Sequence, residues 1–140
     1  MDYGFVKVAA ATPEIKVADC AYNTEAVLRL WQEAEAQNCQ LVAFPELVLT
    51  GYTCGDLFLQ PVLLDGCLHS IKTLIEASRQ FQSVAVIGAP LVHEGKLFNC
   101  AVVIQQGDVL GIVPKTSLPT YGEFYEQRHF QTAVDKTYLY

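Results

Sequence analysis

An α/β fold, with a mixed sheet and helices packed on one face, follows from three observations. Short, wholly apolar runs alternate with two long segments of helical period, the pattern of β-α-β units. The last runs instead follow one another across glycine-containing turns, which is hairpin spacing. At 140 residues, 51% hydrophobic and 17% charged, the chain has the size and composition to bury a core of its own. It is read as one unit, residues 1–140, with no internal boundary, repeat, linker or low-complexity segment.

Phe5 to Ala11 reads as a strand, stopped by Thr12-Pro13. From Asp19 the period becomes helical: Val27, Leu30, Trp31 and Ala34 share one face, Arg29, Gln32, Glu33 and Gln37 the other, and Asn38 ends the segment. Leu41-Val42-Ala43-Phe44, closed by Pro45, has the all-apolar character of a strand buried on both faces. Thr50 to Asp56 is loop, its two glycines open to conformations other residues avoid. Pro61 suits the first turn of a second helix, along which Leu64, Cys67, Leu68, Ile71, Leu74, Ile75 and Phe81 recur every three or four residues. Val84 to Ala89 is the next strand. Leu97 to Ile104 follows across a Glu94-Gly95 turn, and Val109 to Val113 across Gly107-Asp108.

Charge and cysteine usage exclude several function classes. The net charge is -6 and the basic residues are scattered, which argues against a nucleic-acid surface or an anionic membrane partner. No apolar run approaches the length of a bilayer span, and Met1-Asp2-Tyr3-Gly4 lacks the basic start and apolar block of a secretory signal. The five cysteines are irregularly spaced, none in a C-x-x-C pair, and the three histidines lie far apart, so no metal site is expected. Reduced thiols and a cytoplasmic location are the simplest expectation.

Two segments place a charge just where an apolar stretch stops. Phe44-Pro45-Glu46-Leu47 leads into Leu49-Thr50-Gly51-Tyr52, and Pro114-Lys115-Thr116-Ser117-Leu118-Pro119 leads into Tyr121-Gly122-Glu123-Phe124-Tyr125-Glu126. Taken singly, a carboxylate or a lysine after a strand is more simply a solvated side chain. Ligand sites in α/β sheets nevertheless collect at the carboxyl ends of strands, and Pro45 stiffens one exit. Glu46 and Lys115 are therefore expected to end adjacent strands, with side chains converging on one small-molecule amide.

These words resemble the nitrilase superfamily of carbon–nitrogen hydrolases, whose reactive triad is Glu, Lys and Cys, and the resemblance runs along nearly the whole chain. It is finer for the glutaminase domains of glutamine-dependent NAD synthetases, carried by Phe44 to Leu47, by Leu49 to Tyr52 with Gly55 to Gln60, and by Leu118 to Glu126. The resemblance implies an α-β-β-α sandwich. It implies Glu46 as general base and Lys115 as the cation beside the anionic tetrahedral intermediate. Tyr121 becomes a glutamine-contacting residue and Glu126 a second carboxylate near Lys115. Set the resemblance aside, and Tyr121 is as simply a packed aromatic; Glu126 is as simply half of a salt bridge to Lys115 or Arg128.

The nucleophile departs from the pattern. In the superfamily it follows a later strand and precedes acidic residues, whereas Cys20, Cys39, Cys54, Cys67 and Cys100 precede Ala21, Gln40, Gly55, Leu68 and Ala101. Lys136 to Tyr140 reads as a strand just beginning, so the expectation is the N-terminal half of a glutaminase domain. The implied activity is release of ammonia from L-glutamine for ATP-dependent amidation of deamido-NAD. No cofactor is expected in this segment; ATP and Mg belong to a synthetase domain on the same polypeptide, in a homo-oligomer. Alternatives are a free-standing amidase with the same triad, or an assembly module that uses an open apolar face and sheet edge.

Overall fold

The computed structural model describes residues 4–121 and 124–133. The expected strand at Lys136 to Tyr140 lies outside the described residues, as do Gly122 and Glu123 of the second motif. Five strands, β1 (Val8–Ala10), β2 (Leu41–Ala43), β3 (Val84–His93), β4 (Lys96–Gln105) and β5 (Asp108–Pro114), form one sheet in chain order. The first three are parallel and the last three antiparallel to their neighbours, so the sheet is mixed as expected. Helices α1 (Cys20–Ala36) and α2 (Pro61–Ala77) make the two crossovers. Because right-handed crossovers that advance one strand at a time land on one side, both helices cover the same face.

Alternation along β3 and β4 decides what each face carries. Ala85, Ile87 and Ala89 pair with Ile104, Val102 and Cys100, and all six are buried in the core beneath Val27, Trp31, Cys67, Ile71 and Leu74 of the helices. Val86, Gly88, Ala101 and Val103 point the other way, where Val8 and Val113, 60% and 46% exposed, leave the sheet open.

Element ends depart from the periodicity in instructive ways. β1 is three residues, not seven, because Phe5 and Val6 are 79% and 61% exposed and precede the ladder with β2. α1 stops at Ala36, with Asn38 in the left-handed region at φ 61°, a conformation Asn tolerates. α2 stops at Ala77 and a 3₁₀ turn follows, so Phe81 meets Trp31 from beyond the helix, with ring centroids 5.0 Å apart.

Two polar anchors, one buried and one half-buried, tie α1 to the strand ends. The Asn23 side chain, wholly buried, accepts from the Lys16 amide and donates to the carbonyls of Lys16 and Leu49. The Glu35 carboxylate accepts from the Gln82 and Ser83 amides and from Ser83 Oγ, which in turn accepts from Trp31 Nε1. The first fixes the turn after β2; the second fixes the entrance to β3.

Candidate active site

Glu46 and Lys115 do not end adjacent strands. β2 and β5 are separated by β3 and β4, which corrects the expectation from the sequence. Their side chains nevertheless meet, with Lys115 Nζ 2.7 Å from Glu46 Oε1. The reason lies in the path of the chain after β2. Phe44 N–H donates to Val86 O, and the next residues cross the open face of β3 at Gly88. A Cβ at Gly88 would lie 2.6 Å from the Pro45 carbonyl oxygen and 2.9 Å from the Glu46 carbonyl carbon, closer than real side-chain atoms come. The absence of a side chain there lets the segment reach over β3 and deliver Glu46 above β4.

Beyond Glu46 the turn is tight. Leu47 is held at φ 52°, and Gly51 N–H donates to Leu47 O. A buried leucine in the left-handed region is costly, on the order of 1 kcal/mol or more, and persists because its surroundings over-determine it.

Lys115 arrives from the other side. Pro114 pairs with Cys100, and Lys115 N–H donates to Asn99 O at 2.7 Å, which extends the β4–β5 ladder by one bond. Its ammonium lies between two carboxylates, bonding Glu46 on one side and both oxygens of Glu126 at 3.0 and 3.2 Å on the other. Partial burial works against the charge on Lys115, but the hydrogen bonds it donates to Glu46 and Glu126 more than offset it and push its pKa up. The lysine is held as a cation.

Glu126 is the buried member, 6% exposed, and two further groups fix it. Tyr52 OH donates to its Oε1 at 2.7 Å. The turn that carries it, Glu126–Arg128, is clasped by Asp56, which accepts from Arg128 Nε and Nη2 and meets His129 Nε2 at 3.0 Å. The Arg128 hydrogen bonds, with His129 adding to them, hold the Asp56 carboxyl well below the usual range. Phe58 packs on Phe130 behind this clasp.

Tyr121 stands apart from the trio. It is 72% exposed, its ring edge-on to Phe124, which in turn packs edge-on to Tyr52. Among the described residues no hydrogen bond joins Tyr121 to Glu46, Lys115 or Glu126. Glu46 and Lys115 border an open cavity of about 310 Å³ whose floor is Val86, Gly88, Ala101 and Val113. That is room for a small amide on the face the helices leave bare.

Two residues of the site escape the sequence reading. Asn99, 3% exposed, donates a short hydrogen bond to Glu46 Oε1. Its signal is a lone amide between apolar neighbours on a strand, at a position the alternation turns away from the helices. Tyr52 sits inside a quoted motif, yet nothing local pairs it with a carboxylate 74 positions away.

All five thiols are free and buried. Burial pushes Cys20 up to about 11 and Cys100 up to about 12, and raises Cys54 and Cys67 as well. Cys54, in the loop that follows Glu46, turns its Sγ to the Thr50 carbonyl at 3.1 Å.

Comparison with known proteins agrees with this architecture. The profile of the carbon-nitrogen hydrolase family matches residues 7–138. The chain is 44% identical over 126 residues to the glutamine-dependent NAD(+) synthetase of Mycobacterium tuberculosis, covering 90% of this chain and 19% of that protein. It is 37% identical to the enzyme of the same name from Aquifex aeolicus, covering 82% of this chain and 20% of that protein. The chain thus spans about a fifth of the length of these relatives. Among solved structures, a glutamine-dependent NAD(+) synthetase from Cytophaga hutchinsonii superimposes with a TM-score of 0.84 at 27% identity, over 93% of this chain and 22% of that one. An amidase from Nesterenkonia sp. shares the fold at TM-score 0.79 and 21% identity, over 93% of this chain and 49% of that one. The nitrilase-like fold read from the motifs is therefore the fold observed, and the chain belongs to the carbon-nitrogen hydrolase family.

Proposed function

We propose that this chain is the N-terminal part of the glutaminase unit of a glutamine-dependent NAD synthetase. The observation that carries the reading is the Glu46–Lys115–Glu126 trio, a cation held between two carboxylates, with Glu46 and Lys115 at the rim of an open cavity. The named relatives are such synthetases, and this chain matches their carbon–nitrogen hydrolase portion.

In this reading Glu46 takes the proton from a cysteine thiol contributed by the remainder of the unit, and the thiolate attacks the carboxamide carbon of L-glutamine. The carbonyl oxygen becomes anionic beside Lys115, a preorganised charge worth ~3 kcal/mol in a site shielded from water. Glu46 returns its proton to the leaving nitrogen, ammonia departs, and a thioester remains. Water deprotonated by Glu46 then frees glutamate. Glu126 and Tyr52 keep Lys115 charged and in place, and Tyr121, an exposed aromatic, contacts the substrate. The chemistry needs a carboxylate, an ammonium and a thiol, with no cofactor in this segment. ATP and Mg serve the synthetase domain, reached by ammonia through an internal channel in a cytoplasmic homo-oligomer.

The test is made on the complete enzyme. Glu46→Gln and Lys115→Ala abolish glutamine-dependent synthesis and leave synthesis from free ammonia largely intact. Retention of glutamine use in either variant overturns the reading, and equal loss of both activities marks a folding defect instead.

A further inference from the structure

The two oxygens of the Glu46 carboxylate are not equivalent. Oε1 accepts from Lys115 Nζ at 2.7 Å and from Asn99 Nδ2, whereas Oε2 accepts nothing from the described residues. A carboxylate oxygen offers two lone-pair directions, so Oε1 is filled and can take a proton only by giving up a partner. Oε2 keeps both directions. Asn99 is also the hinge between the two residues: its side chain reaches Glu46, and its carbonyl accepts the Lys115 amide at 2.7 Å. An amide buried to 3% exposure on a strand, where an aliphatic side chain would be the simpler occupant, is there for its hydrogen bonds.

We propose that Asn99 is a positioning residue which, together with Lys115, occupies Glu46 Oε1 and thereby reserves Oε2 as the atom that accepts and returns the proton. The proposal rests on the glutaminase reading above. In the first step the S–H bond breaks, the proton bonds to Oε2, and the sulfur electron pair forms the new bond to the amide carbon. In the collapse the same proton passes from Oε2 to the departing nitrogen. Without the Asn99 donor the carboxylate turns about its last bond, and Oε1 and Oε2 exchange roles. A base misplaced by a fraction of an ångström then slows chemistry more than binding.

The experiment uses the complete enzyme with Asn99→Leu, which keeps the volume without the donor, and Asn99→Ser, which fits without crowding but falls short of Glu46. The expected result for both is a kcat for glutamine lower by about 10- to 100-fold, with the KM for glutamine changed by less than about threefold. Ammonia-dependent synthesis and the melting temperature stay at the parental values. Unchanged glutamine turnover in both variants overturns the proposal. So does a parallel fall of both activities with the melting temperature, which a purely structural role produces. Lys115→Ala, run alongside, separates the two levels. If it retains glutamine turnover, the glutaminase reading itself fails; if it is inactive while both Asn99 variants are fully active, only the role of Asn99 falls.

Discussion

Lys115 Nζ lies 2.7 Å from Glu46 Oε1 although two strands separate the ones that carry them. Sheet order alone would keep these residues apart; the crossing of β3 at Gly88 brings them together. That crossing is a contact between backbones, which cannot swing aside as a side-chain tip can. Gly88→Ala would push the Pro45–Glu46 segment off the sheet and pull Glu46 from Lys115. The expected cost is about 1–3 kcal/mol of stability, as for other overpacked sites, read as a lower urea midpoint. An unchanged midpoint, or a variant structure with the Lys115–Glu46 contact intact, would show that the crossing has slack.

Asn23 supports the same turn from the helix side. Its amide satisfies both backbone groups of Lys16 and the Leu49 carbonyl, three positions beyond Glu46. Asn23→Ala takes the partner from the Lys16 amide and the Leu49 carbonyl, while the Lys16 carbonyl keeps the Asp19 amide, at a cost of about 2–4 kcal/mol. Asn23→Asp keeps the acceptor for the Lys16 amide but loses both donors, so it is expected to be destabilised as well. Thermal unfolding of the two variants checks this, and a loss well under 1 kcal/mol in both would mean that water replaces the side chain.

The sheet, its helices and both motif residues were legible because apolar period and turn chemistry are local signals. The hairpin expected at Glu94-Gly95 falls there and the one expected at Gly107-Asp108 turns one residue earlier, at Gln106-Gly107, each with its glycine at a positive φ, and the β-α-β order follows from run lengths. The inference that Glu46 and Lys115 belong to neighbouring strands failed because strand adjacency is not what joins them. A bare Cα at Gly88 is, and a glycine within an apolar run carries no mark of what crosses it. Asn99 and Tyr52 were missed for a related reason. Their partners lie 53 and 74 positions away, and only the folded register sets an amide or a phenol against a carboxylate.

Acid sensitivity is expected at the entrance to β3. Burial alone would raise the Glu35 carboxyl, but the bonds from Ser83 Oγ and from the Gln82 and Ser83 amides prevail and lower it. A carboxyl depressed in the folded state contributes stability that is present above its unfolded pKa of about 4.3 and is lost as pH falls through the folded value. Glu35→Gln should therefore lower the urea midpoint at neutral pH, and its gap from the parent should narrow as the pH is taken below about 4. A gap that is constant from neutral pH into this acid range would assign the effect to shape rather than charge.

The chain by itself is expected not to hydrolyse glutamine. Covalent amide hydrolysis needs a thiolate within reach of Glu46, and each thiol here is turned elsewhere or sealed in the core. Cys20, raised to about 11, and Cys100, raised to about 12, are nearly all thiol at neutral pH, and Cys67 lies at 0% exposure under the helices. Cys54 is the realistic rival, since its loop could swing towards Glu46. Its Sγ, however, bonds the carbonyls of Thr50 and Gly51, and burial raises it too. Glu46 and Lys115 without a nucleophile could only position water, which forgoes the thioester and its two easier steps. The measurement is glutamate and ammonia released when the folded 140-residue chain is incubated with glutamine, with Cys54→Ser in parallel. No release above the uncatalysed background is expected from either. Turnover by the parent that disappears in Cys54→Ser would place the nucleophile in this segment and remove the need for a thiol from elsewhere in the enzyme.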